Sequence, residues 1–412
     1  MASPRARTIP PAVLLGGGAI AVSVARCLAN VGVSVYALGD ASWDTVRHSR
    51  HCTAFIDLGS GAGVQERWLG WLESGPRGAV LIPCSDDAVE LIGRNRASLR
   101  EWGYAPVEGN DDVSLAMLNK QATYVMAGAA GVPAPRTVAV LTVSDLEAVH
   151  HEIGYPCALK PVHSHVFARH FGVGIKAFVA QDEEAMRQAF NRVEREGLLM
   201  LATEIIPGGD ERFCSLTTYI DVRGEALVCF TKSKIRQYPI HFGLGSYAVT
   251  DWNPEVAQLG LDFCRYIGLR GIAVIEFKRD TRDDELKLIE CNARLTLNNA
   301  LAYAAGINLP MIAHQCALGR RVPRQIDYRK GLYLWFPVED VRALIAYRRQ
   351  GELTVRAWAR SLLHRQHFPI FAWTDPFPAL ATHGGMLRRA LPKLIARAVG
   401  VRKPRKQDVA EG

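Results

Sequence analysis

Short apolar runs alternate with amphipathic stretches through the first third of the chain, and this rhythm predicts alternating strands and helices. Ala12 to Leu15, Val33 to Leu38, Ala54 to Leu58 and Ala79 to Ile82 read as strands. Ala19 to Asn30, Val64 to Glu73 and Asp86 to Arg100 read as helices between them. Such alternation implies a parallel sheet with helices on both faces, closing near Glu108-Gly109-Asn110. A helix from Ser114 through Ala130 follows, stopped by Gly131-Val132-Pro133. The next unit mixes strands at Cys157 to Lys160 and Gly174 to Val179 with a helix at Glu183 to Arg195. From Met200 to Cys291 the pattern is rich in strands, with Arg223-Gly224 as a hairpin turn and one intervening helix, Pro254 to Tyr266.

Composition narrows the picture. The 412 residues are 49% hydrophobic and 22% charged, the balance of a globular chain with room for several cores. The net charge of +8 favours anionic ligands, but much of it lies in the final thirty residues and says little about partners. Nine cysteines occur singly with no Cys-x-x-Cys, the pattern of buried free thiols in a reducing cytoplasm. Arg5 and Arg7 before an apolar stretch imitate a signal peptide, but Gly16-Gly17-Gly18 interrupts it. Asn308, Pro310 and His314 exclude the apolar segment Ala300 to Gly319 as a membrane span.

The most informative residues are Gly271 to Phe277 and Leu286 to Arg294, two strand-like segments joined by the polar turn Asp280 to Asp284. Alternation puts Glu290 and Asn292 on one face, and pairing across the hairpin can bring Glu276 onto it. Two carboxylates and an amide oxygen form a hard oxygen set suited to Mg²⁺ and poorly suited to zinc. A solvated polar hairpin fits the same residues. Lys160 ends the apolar strand Pro156 to Lys160 before Pro161 and aims a charge out of the sheet edge. Gly172 and Gly174 sit in an expected loop with His163, His165, Arg169 and His170, where backbone N–H groups could meet phosphates. The histidines lack the carboxylate and helical spacing of a metal site. Thr203, Glu204 and Ile206 lead into a turn through Asp210 and Glu211, able to offer backbone groups to a base and an acid to a ribose. Lys232, Lys234 and Arg236 share a strand face by the period-two rule and would repel unless an anion covered them.

Taken together and in order, these residues resemble the ATP-grasp superfamily, from about residue 12 to 320. Leu118-Asn119-Lys120 and Leu159-Lys160-Pro161 match its nucleotide lysines, and Thr203 to Ile206 its adenine hinge, with Asp210 or Glu211 at the ribose. Glu276 and Leu288 to Arg294 match its magnesium motif and following arginine. The resemblance implies a Rossmann-like domain at 1–112, a lid subdomain at 113–201 and a mixed-sheet subdomain with the metal site at 202–320. An extension with a basic tail occupies 321–412. The chain departs from the family in its sparse lid glycines and in Thr203, where Glu or Gln is common. Val13 to Gly18 and Pro83 to Asp86 look most like carboxylate–amine ligases, D-aspartate ligases among them.

The resemblance implies ATP with Mg²⁺ (or Mn²⁺) as cofactors, and small-molecule carboxylate and amine substrates. Glu276, Glu290 and Asn292 would hold the metal, Lys120 and Lys160 the phosphates, and Arg294 with Arg236 the transferring phosphoryl. Homodimers are common among relatives, the cysteine pattern points to the cytoplasm, and no nucleic-acid partner is expected. Two other readings remain at this point. An NAD-dependent oxidoreductase would use Gly16 to Ala21 with Asp40 at the ribose. A regulatory protein would bind ATP without turnover. Leu387, Leu391, Leu394 and Ile395 share a helical face beside Arg388, Arg389, Lys393 and Arg397, a pattern that could touch anionic lipid. Pro392 weakens that helix and favours a solvated tail.

Overall fold

The computed structural model describes residues 9–172, 175–382 and 384. It contains three sheets, and the strand periodicities of the sequence sort into them. The first is five-stranded and parallel, in the order β3-β2-β1-β4-β5. Its strands are β1 (Ala12–Leu15), β2 (Val35–Gly39), β3 (Ala54–Asp57), β4 (Val80–Pro83) and β5 (Ala105–Pro106). Helices α1 (Gly18–Ala29), α2 (Val64–Ser74) and α3 (Asp86–Glu101) make the crossovers. The fully buried runs AVLL and VLIP in β1 and β4 are what a sheet covered on both faces requires.

Two short helices, α4 (Asp111–Ala116) and α5 (Lys120–Ala129), lead into the second unit where one long helix was expected. The break has a local cause. The Asn119 side chain accepts from Ala122 N at 3.0 Å and caps α5, while Lys120 N donates to Val162 O at 3.1 Å. The interruption therefore fixes Lys120 at the first position of α5, against the second sheet.

That sheet has the order β6-β9-β7-β8, with β6 (Thr137–Val140), β7 (Cys157–Pro161), β8 (Phe178–Ala180) and β9 (Met200–Glu204). It packs on α6 (Asp145–Glu152), α7 (Ser164–Phe171) and α8 (Glu183–Glu194) around its own core of Leu159, Phe167, Met186 and Phe190. The expected glycine loop with three histidines is instead helix α7 over much of its length, and the following strand begins at Phe178 rather than Gly174. Gly174 itself lies outside the described residues. The apolar face of Phe167 and Phe171, packed on Phe178, accounts for a helix where glycines suggested a loop.

The third sheet has seven strands in the order β14-β13-β10-β11-β12-β15-β16. Four of them follow the second unit: β10 (Phe213–Ile220), β11 (Ala226–Tyr238), β12 (Leu244–Asp251) and β13 (Gly271–Arg279). The rest are β14 (Leu286–Asn292), β15 (Tyr333–Trp335) and β16 (Gln366–His367). Helix α9 (Pro254–Tyr266) covers one face, and α10 (Asn299–Ala305) and α11 (Leu309–Ala317) join this sheet to the first through a shared core that includes Leu14, Tyr219, Phe230 and Leu301. Helices α12 (Pro337–Gln350) and α13 (Val355–Ser361) come from the segment beyond residue 320 and pack beside β11 and β12. The basic amphipathic stretch from Leu387 to Arg397 lies outside the described residues. Among the described residues, no helix is long and apolar enough to cross a membrane.

Candidate functional site

The site is built on a row of directly paired residues across the third sheet. Thr250 pairs with Lys232, Lys232 with Ser215, Ser215 with Glu276, and Glu276 with Glu290. Two carboxylates directly opposite each other on adjacent strands repel, so this register needs cations nearby. Asn292 lies two residues beyond Glu290 on β14, its partner Val274 two before Glu276, and both line the same cleft of about 360 Å³. Glu276, Glu290 and Asn292 thus converge as period two predicts.

The cations come from three different elements. Lys120 Nζ donates to Ser164 Oγ at 2.7 Å and lies 3.4 Å from Glu290 Oε1. Lys234 Nζ lies 3.1 Å from Glu276 Oε2 and donates to Gln237 Oε1 at 2.9 Å. Burial alone would raise the Glu290 carboxyl, but Lys120 and Arg294, with a hydrogen bond from Asn292, pull it below its ordinary value. Glu290 therefore stays ionised and able to take a cation. This oxygen set fits Mg²⁺ or Mn²⁺.

Among the described residues the cleft is lined by seven cationic side chains against four carboxylates. Three of the cations, Lys160, Lys176 and Lys232, make no hydrogen bond or ion pair to the described residues. Burial pushes Lys160 down to about 8, helped by nearby Lys120. Burial likewise pushes Lys232, only 2% exposed, to about 8. Between Lys232 and Glu276 the Ser215 hydroxyl is buried and has no partner among the described residues. An unpaired ammonium as buried as that of Lys232 and an orphaned hydroxyl are costly; a polyanion in the cleft would relieve both and would meet the half-buried Lys160 and the exposed Lys176 as well.

At the other end lies the segment from Glu204 to Ile206. Lys278 Nζ donates to Ile206 O at 2.8 Å, and Glu204 is held by Arg282 Nη1 at 2.6 Å and Arg136 Nη2 at 3.2 Å. Glu204, Ile205 and Ile206 line the cleft. Thr203 is fully buried in β9, paired with Thr137 and Ala158, and supports the segment from behind. Glu211 is exposed beside Gly209 and close enough to Lys278 to act on its charge. Arg294 lines the cleft and is fixed by Asp86, which accepts from Arg294 Nε at 2.6 Å. The first residue of α3 thereby ties the first domain to the carboxylate hairpin.

Arg236 is not brought to the cleft. The ladder between β11 and β12 slips between Lys234 and Arg236, so the two-residue period fails there. Gln237 faces the cleft instead. Arg236 forms a paired contact with Asp340 of α12, Nε and Nη2 each at 2.8 Å, and lies over the Tyr247 ring. Asp340 also accepts from Ser246, Trp335 and Trp358, leaving no free lone pair for a further partner. The role expected for Arg236 is thus corrected: it locks α12 to the sheet.

The glycine loop at residues 16–18 is filled by the chain's own Asp44. Its carboxylate accepts from Gly18 N and Asp40 N, and a Cβ at Gly17 would collide with it. A dinucleotide pyrophosphate would meet this carboxylate in the place it needs, so the structure counts against the oxidoreductase reading. His165 lies 3.4 Å from Glu90 and His170 bonds Glu196; among the described residues no cluster of three His, Cys, Asp or Glu side chains could hold a metal.

Sequence reasoning missed Lys176, Lys278 and Ser215. Lys278 stands two residues after Glu276 on β13, so period two could have found it. Lys176 lies before β8, outside any regular element whose period could place it, and Ser215 acquires meaning only from its register.

Comparison with known proteins puts this geometry in context. Residues 252–325 match the family of the carbamoyl-phosphate synthase L chain, ATP binding domain. The arginine-specific large chain of carbamoyl phosphate synthase from Cutaneotrichosporon cutaneum is 24% identical over 204 residues, 47% of this chain. The match spans only 16% of that relative's length. The biotin carboxylase–beta-gamma-ATP complex from Campylobacter jejuni superposes with a TM-score of 0.61 at 16% identity, covering 78% of this chain and 74% of that one. The chain has the ATP-grasp fold. An L-amino acid ligase from Bacillus licheniformis shares this ATP-grasp architecture with a TM-score of 0.57 at 14% identity, covering 75% of this chain and 74% of that one.

Proposed function

We propose that the chain is an ATP- and Mg²⁺-dependent ligase that activates a small-molecule carboxylate as an acyl phosphate and joins it to an amine. The observation that carries this reading is the pairing of Glu276 with Glu290 in a cleft whose lysines exceed its acids and stand partly unpaired. The similarity to the L-amino acid ligase and the biotin carboxylase supports it.

The chemistry follows from the residues. Lys120 and Lys160 hold the α- and β-phosphates, and Lys176 and Lys232 supply further positive charge along the polyphosphate. The segment Glu204 to Ile206 takes the adenine, with Glu211 at the ribose. Glu276, Glu290 and Asn292 hold the metal, which when bound supplies Lewis-acid neutralisation of phosphate oxygens. A substrate carboxylate oxygen attacks the γ-phosphorus, the bond to the β–γ bridging oxygen breaks, and ADP leaves. The amine nitrogen then attacks the acyl carbon, phosphate leaves with the bond it held, and the amine loses a proton. Positioning and charge neutralisation carry most of such a phosphoryl transfer. Arg294, held by Asp86, stabilises the charge on the transferring group. No protein nucleophile is required, and the nine cysteines are free thiols, eight of them buried.

Incubation with ATP, Mg²⁺ and a pool of amino acids, followed by mass spectrometry, tests the proposal. ADP with a condensed product is expected. ATP binding without turnover for every carboxylate and amine offered would favour the regulatory reading.

A further inference from the structure

The row of paired residues that starts at Glu290 and Glu276 continues through Ser215 and Lys232 to Thr250. Each step along it leads about 5 Å farther from the two carboxylates. Lys278, two residues after Glu276 on the same face, bonds Ile206 O and so marks the end of the cleft nearest the segment 204–206. A nucleotide anchored there and at the two carboxylates lies over β13 and β14, with Lys232 at its outer side. The cleft beyond Lys232, over β12 and β15, is left for the molecule that receives the phosphoryl group.

Four segments border that part of the cleft. Ile20 in the first turn of α1, Phe242 in the turn between β11 and β12, Leu297 just before α10 and Phe336 just before α12 all line it and are half-buried. The packing of α10 brings them together. Leu334 pairs with Ala248, which pairs with Lys234, so Leu334 lies on the cleft face with Lys232. It shares a core with Leu301 of α10. Helix α10 therefore lies over the cleft face of β12 and β15 and carries Leu297, one turn before Leu301, to its edge. Asn299 Nδ2 donates to Ser23 Oγ at 3.0 Å, and Ser23 Oγ donates to Ile20 O at 3.0 Å, which places Ile20 beside the same end of α10. Phe336 packs against the same core as Ile20, and its N donates to Ser246 O at 2.9 Å. That bond sets it next to the start of β12, two residues from Phe242 at Leu244.

None of these four side chains is charged, and the neighbouring Thr296 and Asn298 are neutral as well. The adjoining Arg294 is already held by Asp86. A second carboxylate or an extra ammonium on a substrate side chain would lose water here and find no opposite charge, which is costly. An aliphatic or aromatic group gains from the same surroundings. We propose, on the ligase reading above, that Ile20, Phe242, Leu297 and Phe336 form the side-chain pocket of the carboxylate substrate. That substrate is a monocarboxylate with an aliphatic or aromatic side chain, and Leu297 and Phe336 determine the choice without touching the reacting atoms.

Hydroxylamine in place of the amine makes the test independent of the second substrate. Its nitrogen attacks the acyl carbon of the acyl phosphate, phosphate leaves, a proton is lost, and a hydroxamate is measured. Leucine, phenylalanine and hexanoate should exceed aspartate, glutamate and adipate in kcat/KM by at least about tenfold. Leu297→Arg should shift the leucine-to-aspartate ratio toward aspartate by at least about tenfold, and Phe336→Ala should lower the phenylalanine-to-aspartate ratio by about as much. Such ratios do not change when a variant merely yields less folded enzyme. Diacids turned over as well as the apolar acids, or ratios that neither substitution moves, would overturn the pocket and leave the ligase reading standing. ATP binding without hydroxamate from any carboxylate would overturn both.

Discussion

Binding of ATP should draw protons from solution, by an amount the cleft determines. Lys160 and Lys232 both titrate at about 8 in the ligand-free protein, against an ordinary lysine value of 10.5. In each case burial is the main cause, and a neighbouring lysine adds to it. A polyphosphate placed against them favours the charged form and returns both toward the ordinary value. At pH 8 each is then half protonated before binding and fully protonated after, so the two together take up about one proton per ATP. The same arithmetic gives about 0.5 proton at pH 7.5 and about 1.5 at pH 8.5. The phosphate's own last ionisation lies near about pH 6 and contributes little in this window. The sign follows from linkage: the bound state holds more protons, so ATP affinity falls as pH rises through 8. Isothermal titration in buffers of different ionisation enthalpy measures the uptake directly. Lys160→Met or Lys232→Met should each remove about half of it at pH 8. Tight binding with heats that are identical across buffers at pH 8 would refute the reasoning, because the phosphates would then not reach these lysines.

Glu290→Gln removes one charged oxygen from the metal-binding face and should lower Mg²⁺-dependent ADP release at least about 100-fold, with an unchanged circular dichroism spectrum; near-normal turnover would sink the metal assignment. Asp340→Ala strands the buried Arg236 guanidinium and should cost roughly 3–5 kcal/mol in urea unfolding, whereas a loss below about 1 kcal/mol would mean that Arg236 finds other partners. Tyr347→Phe breaks a hydrogen-bonded chain that runs from α12 through Asp210, Gln237 and Lys234 to Glu276. The expected outcome is an apparent KM for ATP raised by up to about tenfold with kcat little changed; a kcat loss at unchanged KM would contradict this positioning role.

The parts of the site carried by regular strands were legible in the amino-acid sequence. Glu290 and Asn292 needed only alternation, and Glu276 needed one hairpin. Arg236 shows where that logic stops: one slipped residue in β11 moved it from the cleft to Asp340, and nothing in the local sequence announces a bulge. The division of the helix before Ala130 was hidden for a related reason. Asn119 is a good cap in any context, but the bond from Lys120 N to Val162 O that fixes the break spans residues distant in sequence. The segment after residue 320 read as an appendage because its contacts are long-range. Its Asp340, Tyr347 and Asp375 each anchor residues more than a hundred positions away. Asp44 in the glycine loop was equally unreadable, since a dinucleotide fingerprint records backbone freedom and not what fills it.

Heavy-oxygen transfer tests the proposed chemistry most directly. Amino acids labelled with heavy oxygen in their carboxylates are supplied with ATP and Mg²⁺, and the phosphate released is analysed by mass spectrometry. Activation through an acyl phosphate predicts one labelled oxygen in each phosphate and an amide product that has lost it. ADP formed with unlabelled phosphate, the label remaining wholly in the amino acids, would contradict the account.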